Sequence, residues 1–136
     1  MKIAIILRSV SGAGKSTFAE CMQLLLDVDC EICTTDDFFI KDGEYKFNPK
    51  QLGIAHNICK NKFIDAMKNN VDVVICANTN TTQNEADTYI SLAKDYGYMV
   101  FSLVVENVNK TIDTHGVPDL TKEKQAQNIR HSLRLM

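Results

Sequence analysis

Residues 3–17 read Ile3-Ala4-Ile5-Ile6-Leu7-Arg8-Ser9-Val10-Ser11-Gly12-Ala13-Gly14-Lys15-Ser16-Thr17, and this stretch decides the fold. The run 3 to 7 is apolar without alternation, the pattern of a strand covered on both faces. Next comes the phosphate-loop pattern G-x-x-x-x-G-K-[ST], with Ser9 in place of the first glycine. Beyond it Phe18, Ala19, Met22, Leu25 and Leu26 recur at helical spacing, which predicts a helix over 15 to 27. Gly12 and Gly14 let successive backbone N–H groups turn inward, making an anion nest at a helix N-terminus. Lys15 can reach the outer phosphates and the Ser16 hydroxyl can ligate Mg²⁺. The stretch therefore predicts ATP binding by Ser11, Gly12, Ala13, Gly14, Lys15, Ser16 and Thr17, with Mg²⁺ on Ser16. A glycine-bearing turn that binds nothing is the alternative; a buried strand before the loop and an amphipathic helix after it argue against that.

Working outward, strand and helix patterns alternate. Residues 30 to 35 read as a second strand running into Asp36-Asp37. Lys41-Asp42-Gly43-Glu44 is a turn, and Pro49 opens a helix whose stripe is Ile54, Ile58, Phe63, Ala66 and Met67. Residues 71 to 77 form a third buried strand ending in Asn78-Thr79-Asn80. Ala86, Tyr89, Ile90, Ala93 and Tyr96 mark the next helix, with Gly97 placed to stop it. A fourth strand covers 99 to 105, and a last helix over 120 to 134 carries Ala126, Ile129 and Leu133. Such alternation predicts an α/β fold, a P-loop NTPase of the nucleotide-kinase type: three layers, α/β/α, around a short parallel sheet.

Composition agrees. A chain of 136 residues has room for one domain, expected to span 1–136. Hydrophobic residues at 45% and charged residues at 24% exclude a disordered or fibrous chain. A net charge of −2 excludes a uniformly basic nucleic-acid binder but leaves room for a local basic groove. No apolar run reaches the roughly 18 to 20 residues of a membrane span, and the N-terminus is a poor signal peptide. The five cysteines read as small buried hydrophobes in a reducing, cytoplasmic setting. Cys30-x-x-Cys33 lacks a second Cys/His pair at ligand spacing.

The second substrate is the harder question. Asp36, at the carboxyl end of the second strand, can take the proton of an attacking hydroxyl, the base role in phosphoryl transfer; a helix cap is its structural alternative. Asp36 and Lys15 are thus the candidate catalytic residues. Asp37, Asn78, Thr79, Lys41 and His56 are candidates for contact with the second substrate. The end of the third strand carries Asn78 where a Walker B acid would be expected; an Asx turn is its alternative role. Residues 38 to 70 hold six lysines against three acids, with Phe38, Phe39, Tyr45 and Phe47 among them. That mixture suits a polynucleotide and equally a solvated helix face over core phenylalanines.

The motif set runs collinearly over nearly the whole chain. It comprises the loop 12–17, Thr34-Thr35-Asp36-Asp37-Phe38-Phe39 through Tyr45 and Phe47, Ala55-His56, Asn78-Thr79-Asn80-Thr81, Gly97-Tyr98 and His115-Gly116-Val117-Pro118. It resembles the P-loop polynucleotide 5′-hydroxyl kinases and their relatives with NEDD4-binding-protein-type kinase domains. The resemblance implies an ATP-dependent kinase acting on nucleic-acid 5′-hydroxyls, with Lys15 and Ser16 on MgATP, Asp36 as base and Asn78 near the phosphoryl site. Where that family carries an arginine-bearing lid, residues 107–114 hold no arginine; Lys110, Arg130 and Arg134 are the candidate substitutes. A small-molecule or nucleoside kinase and a nucleotide-dependent binding module are the alternative functions.

Overall fold

The computed structural model describes residues 1–110 and 115–134; the remainder of the short lid segment, 111–114, lies outside them. The chain runs β1 (Ile3–Arg8), α1 (Lys15–Leu25), β2 (Cys30–Cys33), α2 (Asp36–Phe39) and a small hairpin of β3 (Ile40–Lys41) and β4 (Glu44–Tyr45). A 3₁₀ turn at Pro49–Gln51 leads into α3 (Leu52–Lys68), followed by β5 (Val73–Cys76), α4 (Gln83–Asp95), β6 (Met99–Val104) and α5 (Asp119–Ser132).

The main sheet has the order β2-β5-β1-β6, every pairing parallel. Consecutive strands β1 and β2 are not neighbours; β5 inserts between them and pairs Ile5 with Ile75. Continuous apolar strands suit this arrangement because helices cover both faces. Ala4, Ile6, Cys33, Val74 and Cys76 pack against Cys59, Phe63 and Met67 of α3 and Tyr89 and Ala93 of α4. Ile5, Leu7, Val73 and Ile75 pack against Phe18, Ala19 and Met22 of α1. The layers are α/β/α, as the alternation predicts. Among the described residues no helix is long and apolar enough to cross a membrane.

Several expectations need correction. Ile54 and Ile58 are about half exposed, whereas Ala55 and Cys59 are buried. The α3 stripe is thus Ala55, Cys59, Phe63, Ala66 and Met67: the helix is turned by one residue because the small side chains, not the isoleucines, fit closely over β2 and β5. Leu133 is 43% exposed, since α5 ends before it at Ser132. β2 stops at Cys33, so Asp36 stands in the first turn of α2 and not on a strand end. The predicted helix over 15 to 27 closes at Leu25, where Leu26 turns extended (ψ 132°). The five cysteines are free thiols; Cys33, Cys59 and Cys76 are buried and Cys21 is exposed.

Candidate active site

The loop after β1 owes its shape to two glycines in the left-handed region, Gly12 (φ 78°) and Gly14 (φ 105°). An L side chain at φ 105° is strained even though a Cβ on Gly14 would meet open space. Ala13 N–H closes the turn on Val10 O (3.3 Å), and Phe18 N–H donates to Gly14 O (3.0 Å) as α1 begins. Ser9 has no positive φ, so serine serves where the pattern has glycine. Its N–H donates to Thr79 O (3.0 Å) and its hydroxyl to Val10 O (2.8 Å), tying the loop to the end of β5. Lys15 is buried for a charged residue, at 9% exposure, and faces the cleft described next.

A cleft of about 880 Å³ opens over the carboxyl ends of the strands, the place where open α/β sheets bind ligands. It gathers Ser11, Gly12, Gly14, Lys15, Ser16 and Thr17 on one side, with Asp36, His56, Asn78 and Thr79. Ala13 is buried behind the loop, contributing backbone. Two candidates are elsewhere. Asp37 points away and pairs with Lys62 (3.6 Å). Lys41 sits on the hairpin with its ammonium 5.8 Å from the Phe38 ring centroid. Asp37 departs because the tight α2 turn aims one aspartate inward and its neighbour outward.

The Asp36 carboxylate is flanked on both oxygens. Tyr45 O–H donates to Oδ1 at 3.3 Å, and His115 Nδ1 stands 3.7 Å from Oδ2. The Tyr45 and His115 rings stack on each other at 3.8 Å with 12° between planes. The β3–β4 hairpin brings Tyr45 back over α2; Lys46 N–H to Phe39 O (2.8 Å) closes it.

Asn78 lies behind Asp36. Its Oδ1 accepts from Thr35 N–H (2.8 Å) and Thr35 Oγ1 (3.2 Å), while Nδ2 faces Cys59 Sγ (3.5 Å) and Tyr89 Oη (3.4 Å). Both ends of the amide are engaged, so Asn78 fixes the residue preceding Asp36. The hydrogen bond with Cys76 draws the Cys59 thiol down to about 7 against the effect of burial, with Tyr89 and Asn78 adding to it. Burial pushes the Cys76 thiol and the Tyr89 phenol up. Asn80, left-handed at φ 44°, donates to Leu7 O (2.8 Å). Its own carbonyl accepts from Arg8 Nε (2.8 Å), and Arg8 Nη2 donates to Ser132 Oγ (2.6 Å). Buried Arg8, its pKa lowered by desolvation that Asp87 and Glu85 only partly offset, thereby anchors α5 to the top of the sheet.

The donors fit a polyphosphate: a loop with two left-handed glycines, a helix N-terminus, a buried ammonium and a hydroxyl on Ser16. Among the described residues no group of three or more His, Cys, Asp or Glu can hold a metal ion. Mg²⁺ suits such a place because it keeps several waters and shares phosphate oxygens, needing few protein ligands.

A parallel four-stranded sheet between helices, with a β1–α1 glycine loop and a held carboxylate on one cleft, is the fold class of the P-loop kinases. No family model matches the chain. Its sequence is 28% identical over 138 residues, 98% of the chain, to NEDD4-binding protein 2 of Homo sapiens, of which it spans 8%. Its fold superposes on a chain of the Pnkp1/Rnl/Hen1 RNA repair complex with a TM-score of 0.77 and 22% identity, covering 96% of this chain and 45% of that one. The Chaetomium thermophilum Kti12 structure with ADP-AlF3 gives a TM-score of 0.60 at 13% identity, covering 92% and 79%. The Mycobacterium tuberculosis APS kinase CysC gives 0.56 at 13%, covering 96% and 95%. The chain is thus similar to the P-loop polynucleotide kinase-like family, as the motif set implies.

Several neighbours of the cleft escape residue-by-residue reading. Tyr45 and His115 lie inside the motif set but carry no signal that they meet. Thr35, Arg8 and Tyr89 gain their roles only through packing. The contact of Gln125 with Ser11 spans 114 positions, and nothing local announces it.

Proposed function

We propose that the chain is an ATP-dependent kinase that transfers the γ-phosphate of ATP to the 5′-hydroxyl of a polynucleotide. The observation carrying this reading is that Asp36, held between Tyr45 and His115, lines the same cleft as the loop from Ser11 to Thr17. The loop amides and Lys15 would hold the triphosphate, and Ser16 its Mg²⁺. Asp36 would accept the proton of the incoming hydroxyl as its oxygen bonds to the γ-phosphorus; the bond to the β–γ bridging oxygen breaks and ADP leaves. Tyr45 and His115 keep the carboxylate aimed into the cleft. The half-exposed ring of Phe47, with the His56 imidazole and the Lys60 ammonium, offers a stacking face, a polar ring and a cation to a nucleic-acid end. The similarity to a chain of an RNA repair complex supports a polynucleotide acceptor.

The test is transfer of label from γ-labelled ATP to 5′-hydroxyl DNA and RNA oligonucleotides. Asp36→Asn should lower transfer by about 10²-fold or more, the general-base contribution, with ATP affinity kept. Wild-type protein that binds ATP but labels no oligonucleotide would overturn the proposal. A second reading, a binding module with little turnover, is favoured by one observation: among the described residues no arginine lines the cleft. In that case the protein binds both ATP and oligonucleotide without label transfer.

A further inference from the structure

Helix α5 reaches the phosphate loop through one side chain. Gln125 Oε1 accepts a hydrogen bond from Ser11 N–H at 2.9 Å. A backbone N–H can only donate, so the carboxamide oxygen must face the loop and the NH₂ must occupy the other branch of the planar amide. Among the described residues none accepts from that NH₂, and Gln125 lines the same cleft as Lys15 and Asp36.

The segment around it crosses the cleft. At one end His115 stands 3.7 Å from the Asp36 carboxylate; ten residues on, Gln125 is bonded to the loop. Both contacts lie on the cleft that the loop shares with Asp36. The far end is anchored: Ile129 is buried, and Ser132 Oγ receives the buried Arg8 guanidinium. Positions 125, 129 and 132 share one helical face, so the anchor fixes the side chain that meets the loop.

We propose that Gln125 is a γ-phosphate ligand, its NH₂ donating to the outermost phosphate while its Oε1 stays on Ser11. This rests on the reading above only for the presence of a triphosphate in the loop. Lys15 neutralises charge there, and Gln125, held on Ser11, adds a neutral donor. Such a donor makes the site read the third phosphate, so MgATP is held better than MgADP by a contact that ADP cannot make.

The experiment compares dissociation constants for MgATP and MgADP by titration calorimetry in wild type, Gln125→Glu and Gln125→Ala, with thermal unfolding of each without nucleotide. Gln125→Glu keeps an oxygen for Ser11 N–H but puts a second, negatively charged carboxylate oxygen where the NH₂ was. Its MgATP dissociation constant should rise about tenfold or more, the MgADP constant should move less than about threefold, and the melting temperature should hold. Gln125→Ala should weaken MgATP by about three- to tenfold with the same selectivity. Equal shifts for both nucleotides in both variants would reduce Gln125 to a pin for α5 and overturn the inference, as would no shift in either. These outcomes do not depend on transfer: wild type that labels no acceptor defeats the kinase reading and leaves this comparison intact. Full transfer by a variant with unchanged ATP-to-ADP preference does the reverse.

Discussion

Asn78 offers a perturbation whose size follows from its four contacts. Asn78→Leu keeps most of the volume but removes the acceptor of Thr35 N–H and Thr35 Oγ1 and the polar contacts to Cys59 and Tyr89. The Thr35 hydroxyl can turn to another partner; its N–H cannot, and an unsatisfied, partly buried N–H costs about 1 to 3 kcal/mol. Lost contacts to the second amide end add about 1 kcal/mol, giving roughly 2 to 4 kcal/mol in all. At about 3 to 4 °C per kcal/mol for this length, the melting temperature should fall by roughly 6 to 16 °C. A double-mutant cycle with Thr35→Val isolates the 3.2 Å hydroxyl contact, with an expected coupling near 1 kcal/mol. Because Asn78 grips the residue before Asp36, freeing it lets the carboxylate wander. Oligonucleotide labelling should then slow by about 10- to 100-fold, the penalty of ångström-scale misplacement, with MgATP affinity within about twofold. Thermal unfolding followed by circular dichroism and single-turnover labelling check the two halves. A melting temperature within 1 °C of wild type would refute the account of Asn78 as the support of α2.

Phe63 is fully buried and meets Tyr89 edge-to-face at 5.1 Å, so Phe63→Ala should destabilise by about 3 to 5 kcal/mol, read from urea unfolding. Titration of the native protein with a thiol-reactive disulfide reagent at pH 8 should find Cys21 fast. Cys33, pushed up to about 12 by burial and then by Cys59, and Cys76 should react only on unfolding; a fast native Cys33 would contradict the packing.

Local residue patterns encode the alternation of elements, the glycine–lysine loop and the Asp36-Asp37 pair after the second strand. Those are local matters: an unbroken apolar run, glycines where φ must be positive, a lysine and a hydroxyl at fixed offsets. The sequence also placed Phe63, Ala66 and Met67 on the buried side of α3, because helical period carries that far. Tertiary structure alone decided the rest. Period 3.6 does not say which of two adjacent rows faces a sheet, and the close approach of α3 to β2 and β5 chose Ala55 and Cys59 over Ile54 and Ile58. Of two neighbouring aspartates, the pitch of a single helical turn sent Asp36 to Tyr45 and His115 and Asp37 to Lys62. The long-range grips, Arg8 on Ser132 and Gln125 on Ser11, join residues more than a hundred positions apart. No local pattern encodes such pairs, because they exist only once the sheet has brought the end of β1 beneath α5.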